Sequence, residues 1–232
     1  MSTGLFNPLY LGFTLGLVHA LDPDHLVAVG TVVSEEHALR RSALLGAVWG
    51  LGHTTSLALV GLTVLTLRVA VPPMLAQGME FGVALMIMLL GAALVWRSAR
   101  TLIVHAHDHS HGDGDHAHVH VHDGQASDHE HHRFKSEQKA FTIGLVHGLA
   151  GSAALSLLVL ATLPSLSMGL LYILVFGIGS TGAMLAMSTA MGVPFGLLAK
   201  RASPYHSQIQ GLVGLLAVSF GLYFAWSLRQ LP

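Results

Sequence analysis

The run from Leu5 to Val33 is apolar and long enough to cross a bilayer, yet it carries His19, Asp22, Asp24 and His25 within seven residues. Ionisable groups at bilayer depth are costly and mark functional sites. Two imidazoles and two carboxylates offer nitrogen and oxygen donors, which suit borderline divalent ions such as Ni, Co, Zn or Cu(II). On an unbroken helix six residues turn about 600°, which leaves His19 and His25 roughly 120° apart. Pro23 changes this, because it has no N–H for the His19 carbonyl and strains the preceding turn. The first helix is therefore predicted to break at Asp22-Pro23. The freed His19 carbonyl, both imidazoles and an oxygen from Asp24 or Asp22 would then converge. Broken helices are tolerated in membranes where they line a polar cavity, and transporters bind ions at such breaks. A plainer reading makes Asp22-Pro23-Asp24 a turn at a helix end. It leaves the apolar run from Leu26 to Val33 without explanation.

The rest of the chain extends the membrane reading. Apolar segments occupy Leu5–Val33, Ala43–Leu67, Phe81–Val104, Ala140–Thr162, Leu166–Leu198 and Ile209–Leu228. Each reaches the roughly 20 residues needed to span the hydrocarbon core. Charged residues make up 10% of the chain, against about 25% in soluble domains. The expected fold is an all-α polytopic membrane protein of six transmembrane helices, with Pro194 ending the fifth and Glu80 opening the third. Nine of the eleven Lys and Arg residues fall in the connections after spans one, three and five or, as Arg97 and Arg100 do, in the last turns of the span leading into one. The positive-inside rule makes those connections cytoplasmic and puts the N-terminus outside. A net charge of −1 gives no reason to expect a nucleic-acid partner, and the absence of cysteine removes thiolate metal sites. The N-terminus has no basic region of the kind that precedes a cleavable signal peptide. The localisation that follows is multi-pass in a bacterial or archaeal inner (plasma) membrane.

The chain also repeats itself. Phe13-Thr14-Leu15-Gly16-Leu17-Val18-His19 aligns with Phe141-Thr142-Ile143-Gly144-Leu145-Val146-His147, Trp49-Gly50-Leu51-Gly52-His53-Thr54 with Phe176-Gly177-Ile178-Gly179-Ser180-Thr181, and Gly91 and Trp96 with Gly221 and Trp226. A unit of three spans reverses direction in its second copy, so residues 1–104 and 139–232 are expected to be inverted-topology repeats. Such pairs hold substrate near the midplane where they meet. The first copy carries the carboxylates. The second keeps His147 but has Ala150, Gly151, Ser152 and Ala153 where the first has Asp22 to His25, and Ser180 opposite His53. The candidate metal-site residues are therefore His19, Asp22, Asp24, His25, His53 and His147. Some of them are expected to orient a ligand rather than bind, since a ligating imidazole needs its other nitrogen held. Ser152, Ser180 and Thr181 read as helix-packing hydroxyls.

Residues 105–138 differ in kind. Eleven of the 17 histidines lie between His105 and His132, among Asp, Gly and Ser. The segment lacks the apolar content to pack and is expected to be a disordered cytoplasmic loop that stores divalent metal weakly. Glu35-Glu36-His37 reads as a solvated helix end, and Trp96 and Trp226, each followed by an arginine or nearly so, as interfacial anchors.

His19, four further residues, then Asp24-His25 resembles the signature of the nickel/cobalt transporter (NiCoT) family, and Leu51-Gly52-His53-Thr54-Thr55 resembles a second element of it. The family's later Asp-Thr elements are replaced here by His147-Gly148-Leu149-Ala150-Gly151-Ser152 and Gly179-Ser180-Thr181-Gly182. The resemblance is to a short six-span branch similar to urease-accessory nickel permeases. It implies transport of Ni²⁺, with Co²⁺ as a second cargo, and uptake without a resident cofactor. The partners are the divalent ion and the lipid bilayer, while a homo-oligomer and nickel-enzyme maturation partners stay open. Efflux fed by the His-rich loop is the competing transport reading. Other classes are a membrane metalloenzyme and a metal-enzyme assembly factor. The enzyme reading rests on His107-Asp108-His109-Ser110-His111, which carries Asp where an ordered helical His box needs helix formers. No Gly-rich phosphate loop ending in Lys-Ser/Thr is present, so the chain has no means of its own to hydrolyse ATP.

Overall fold

The computed structural model describes residues 3–36, 38–69, 71–101, 106–109, 116–119, 129–149, 159–160, 162–201 and 203–230. Seven α-helices lie among them: α1 (Thr3–His19), α2 (Pro23–Val33), α3 (Leu39–Leu67), α4 (Pro73–Thr101), α5 (His129–Gly148), α6 (Leu166–Arg201) and α7 (Ser203–Ser227). Four of these, α3, α4, α6 and α7, are each long and apolar enough to cross a membrane. The chain is an integral membrane protein, and its outer surface fits that solvent: Leu59, Leu89, Leu216 and Tyr223 are all about three-fifths exposed.

The first apolar segment is two helices. α1 ends at His19 and α2 begins at Pro23. The Asp22 backbone is extended at ψ 145°, and its carbonyl accepts the first α2 hydrogen bond, from Leu26 N at 3.1 Å. Proline at the first helical position loses nothing, because that N–H has no partner in any helix. The His19 carbonyl, expected to be free for an ion, instead accepts from Asp22 N at 3.1 Å. A tight turn has satisfied it. The break also changes neighbours, since α1 packs on α6 whereas α2 packs on α4, α6 and α7.

Two boundaries differ from expectation. α6 continues through Pro194 to Arg201, because a proline removes one ladder bond and membrane helices absorb that loss. α4 starts at Pro73, so Glu80 lies two turns inside it rather than at its start. Within 105–138, Ala106–His109 pairs antiparallel with His116–Val119, with His107 opposite His118, and α5 already begins at His129. The fourth predicted span is only partly described, as residues 150–158 and 161 lie outside the described residues.

α3 packs on α5 and α6, α1 on α6, and α4 on α7. Glycines allow these backbones to approach. A β-carbon on Gly16 would collide with the Phe176 carbonyl and stand 3.0 Å from Ser180 N, while one on Gly144 would collide with the Trp49 carbonyl and stand 3.0 Å from His53 N. Close approach at small residues is how helices associate in lipid, where no hydrophobic force drives them together. Thr54 Oγ1 meets Thr181 Oγ1 at 3.1 Å across α3 and α6. The buried core, including Ala28, Val29, Val33, Leu45, Trp49, Ile143, Met184 and Met187, fills the space beside α2.

Candidate metal centre

The break between α1 and α2 places four imidazoles and a carboxylate in the protein interior. His19 closes α1, Asp24 and His25 open α2, His53 lies midway along α3, and His147 is one residue from the end of α5. His25 and His147 are fully buried, His53 nearly so, and His19 and Asp24 are each 7% exposed. The ring centroid of His25 is 4.8 Å from His19, 4.9 Å from His53 and 4.1 Å from His147. The break achieves what a straight helix could not, bringing His19 and His25 side by side.

Hydrogen bonds fix the rings. His19 Nδ1 donates to Asp22 Oδ2 at 3.0 Å, and His19 Nε2 lies 3.0 Å from His53 Nε2. His25 Nδ1 donates to Asp24 Oδ1 at 3.3 Å, and His147 Nε2 donates to Asp24 Oδ2 at 2.9 Å. A neutral imidazole has one donor nitrogen and one lone pair. With these donors assigned, the lone pairs of His25 Nε2 and His147 Nδ1 are left, and neither atom has a partner among the described residues; His53 Nδ1 has none either. Buried unpaired nitrogens are costly, and a carboxylate holding the far side of an imidazole is the arrangement that prepares it as a metal ligand. Two trios could hold an ion: His19, His25 and His53, and Asp24, His25 and His147. The ends of α1 and α5 point their C-terminal, partially negative ends toward this region, which favours a cation.

All six sequence-selected residues reach this region, with Asp22 at its margin; its side chain is 35% exposed against 9% for Asp24. Thr181 serves in packing, Ser180 is fully buried, and Ser152 lies outside the described residues. Trp49 was visible in the sequence only as a repeat position. It is 4% exposed, with its ring 5.5 Å from both His25 and His147. Its spacing of four from His53 puts the two on one face of α3, a signal that was available. Phe176 similarly stands 5.7 Å from His19. Trp49 also lines an apolar cavity together with Ala28, Val29, Val33, Leu45 and Ile143. Past the end of α2, Glu35 pairs with Arg97 at 2.6 Å and Lys139 at 3.9 Å, and Glu36 with Arg41 at 3.3 Å. These acids are structural partners rather than a merely solvated helix end.

The sequence profile of the family described as high-affinity nickel-transport protein matches residues 6–203. The chain belongs to that family. The resemblance read from His19, Asp24 and His25 is thereby borne out, and membership makes the chain a nickel transporter rather than an enzyme, with the ion as its substrate. Urease accessory protein UreH of Bacillus sp. (strain TB-90) is 35% identical over 226 residues, which is 97% of this chain and 92% of that protein. Chloroplast proteins FOR GROWTH AND FERTILITY 2 and 1 of Arabidopsis thaliana are each 25% identical to this member, over 96% and 95% of its length but 57% and 59% of theirs. No solved structure matched.

Proposed function

We propose that this nickel-transport family member is an uptake permease that carries Ni²⁺, and secondarily Co²⁺, inward through the cluster at His19, Asp24, His25, His53 and His147, with Asp22 orienting His19. One observation carries this reading: side chains from four helices and both halves of the chain converge in the protein interior with three ring nitrogens unpartnered among the described residues. Anionic and imidazole ligands offset the dehydration of a divalent ion. A negative-inside potential favours inward movement of a dication by about 4.6 kcal/mol at 100 mV, taking about 2.3 for each charge. A relative named for urease fits a chain that supplies nickel to the cell interior.

In this reading the membrane unit is six spans in two inverted repeats, N-terminus outside, in a bacterial or archaeal inner membrane, with residues 105–138 as a cytoplasmic metal store. The glycine contacts support the repeat. Gly16 faces Phe176 and Ser180 while Gly144 faces Trp49 and His53; Gly52 faces Phe141 and Leu145 while Gly179 faces Phe13 and Leu17; Gly91 faces Gly214 and Val218 while Gly221 faces Ala84 and Met88. Each pair exchanges under the sequence offset of the repeat, which a two-fold relation requires. The pairing of Thr54 with its own counterpart Thr181 sits on such an axis.

Efflux is the second reading, favoured by eleven histidines in one connection that the charge rule makes cytoplasmic. Radiolabelled Ni²⁺ flux in oriented proteoliposomes, with and without a proton gradient, decides. Uptake predicts inward accumulation driven by a negative-inside potential. Outward movement driven by an opposing proton gradient, with none inward, overturns it.

A further inference from the structure

The buried cluster is two hydrogen-bonded triads rather than one ring of ligands. Asp22, His19 and His53 form the first, through contacts of 3.0 Å and 3.0 Å. His25, Asp24 and His147 form the second, through contacts of 3.3 Å and 2.9 Å. No hydrogen bond joins the triads among the described residues. They touch through rings alone, with His25 packed against both His53 and His147, whose own centroids are 6.0 Å apart. His25 belongs to both trios able to hold an ion, and within each trio the ligand atoms lie within 4.8 Å of one another. Ligands on opposite sides of an ion are about 4.2 Å apart when each nitrogen is about 2.1 Å away. Either trio therefore closes on an ion with a small inward movement.

The two sets differ in exposure and in surroundings. The first is continuous with Asp22, the half-exposed carboxylate. The second is walled by Trp49, whose ring also lines the apolar cavity beside α2. This gives a direction: Asp22, first trio, His25, second trio, Trp49, cavity.

Resting on the nickel reading above, we propose that the cluster is two successive Ni²⁺ stations sharing His25, the first of His19, His53 and His25, the second of Asp24, His147 and His25. Because the shared imidazole can close only one station at a time, one ion occupies the pair, and it moves by exchanging the partners of His25. The first station has three neutral ligands and the second a carboxylate, so the ion gains an anionic ligand as it moves inward; there His25 and His147 turn lone pairs toward Asp24 by shifting their protons to the unpartnered nitrogens, His25 Nε2 and His147 Nδ1. Asp22 is a positioning residue that holds the His19 ring for the first station.

The test uses the full chain with Trp96→Phe and Trp226→Phe, two exposed positions, so that Trp49 is the remaining tryptophan. Quenching of its fluorescence by nickel sulfate reads binding at the cluster, and proteoliposome flux of radiolabelled Ni²⁺ reads transport. His53→Gln and His147→Gln each leave one station, so each should weaken binding by less than about tenfold while flux at saturating nickel collapses. The double variant should lose saturable quenching, a loss far beyond the product of the two, which is the mark of coupled rather than independent sites. His25→Gln alone should remove both binding and flux. If either single variant abolishes binding, or the two losses multiply, the cluster is one site and the proposal falls while the nickel reading stands. If His25→Gln quenches as wild type does, the cluster does not bind nickel and the earlier reading falls too. Should a glutamine variant lose its helical circular dichroism, the asparagine variant at that position takes its place.

Discussion

Gly16 in the first half and Gly144 in the second meet equivalent backbone, at Phe176 and Trp49 respectively. His19 and His147, three residues further along each helix, both point into the same cluster. There the likeness stops. After His19 comes a turn that ends at Asp22, and Asp24 opens α2. After His147 comes Gly148-Leu149-Ala150-Gly151. His53 on α3 has Ser180 as its counterpart on α6. The two halves share a way of packing and divide the chemistry unequally. Backbone approach is set by small residues and tolerates little change in either copy. The carboxylates of the cluster lie in one copy alone, and every carboxylate placed in a bilayer costs free energy and must find partners.

This contrast can be broken from its chemical side first. Asp24→Ala removes the acceptor of both His25 and His147. Nickel flux should fall by more than about a hundredfold, since residues that only orient a ligand are already worth about 10–100-fold. Near-normal flux from a folded Asp24→Ala protein would separate the carboxylate from transport. Packing comes next: Gly16→Leu and Gly144→Leu should damage assembly to the same degree, since each side chain would collide with a carbonyl of the facing helix. Thermal stability in detergent measures this, and a large loss in one with none in the other would break the equivalence of the halves. Asp22→Asn should lower apparent nickel affinity by about 10–100-fold without abolishing transport, as expected when a positioning group is weakened. Excising residues 106–128 should cost less, changing flux at limiting nickel modestly and flux at saturation not at all, because a tethered store raises local concentration without forming the path. Ser180→Ala, opposite His53 in the repeat, should stay within about threefold, because the buried Ser180 hydroxyl has no hydrogen-bond partner among the described residues and even an average intramembrane hydrogen bond is worth only about 0.6 kcal/mol. A larger loss would give the second half a chemical role beyond His147.

Much of this was legible because lipid makes sequence explicit. His19, Asp22, Asp24 and His25 stood out against their apolar run, and Pro23 located the break to within three residues. The repeat selected His147, which has no local motif of its own. What was not legible depends on tertiary partners. The His19 carbonyl closes a turn onto Asp22 N, an arrangement that the lost proline N–H alone does not specify. Pro194 does not end α6, because a single missing ladder bond is outweighed by packing along a long helix. Trp49 stood in the sequence as a repeat position on the His53 face of α3, and the convergence of α2, α3 and α5 sets it against two imidazoles. Glu35 reads as solvated until Arg97 and Lys139 are brought to it from α4 and α5.

The central claim is that transported nickel passes through the cluster around His25. The most direct measurement is radiolabelled Ni²⁺ uptake into proteoliposomes at saturating nickel, for wild type beside a folded His25→Gln protein, with Trp49 quenching recorded on the same samples. We predict that His25→Gln loses both uptake and quenching while the His-rich segment 105–132 is intact. Uptake at the wild-type rate through a His25→Gln protein would contradict the account.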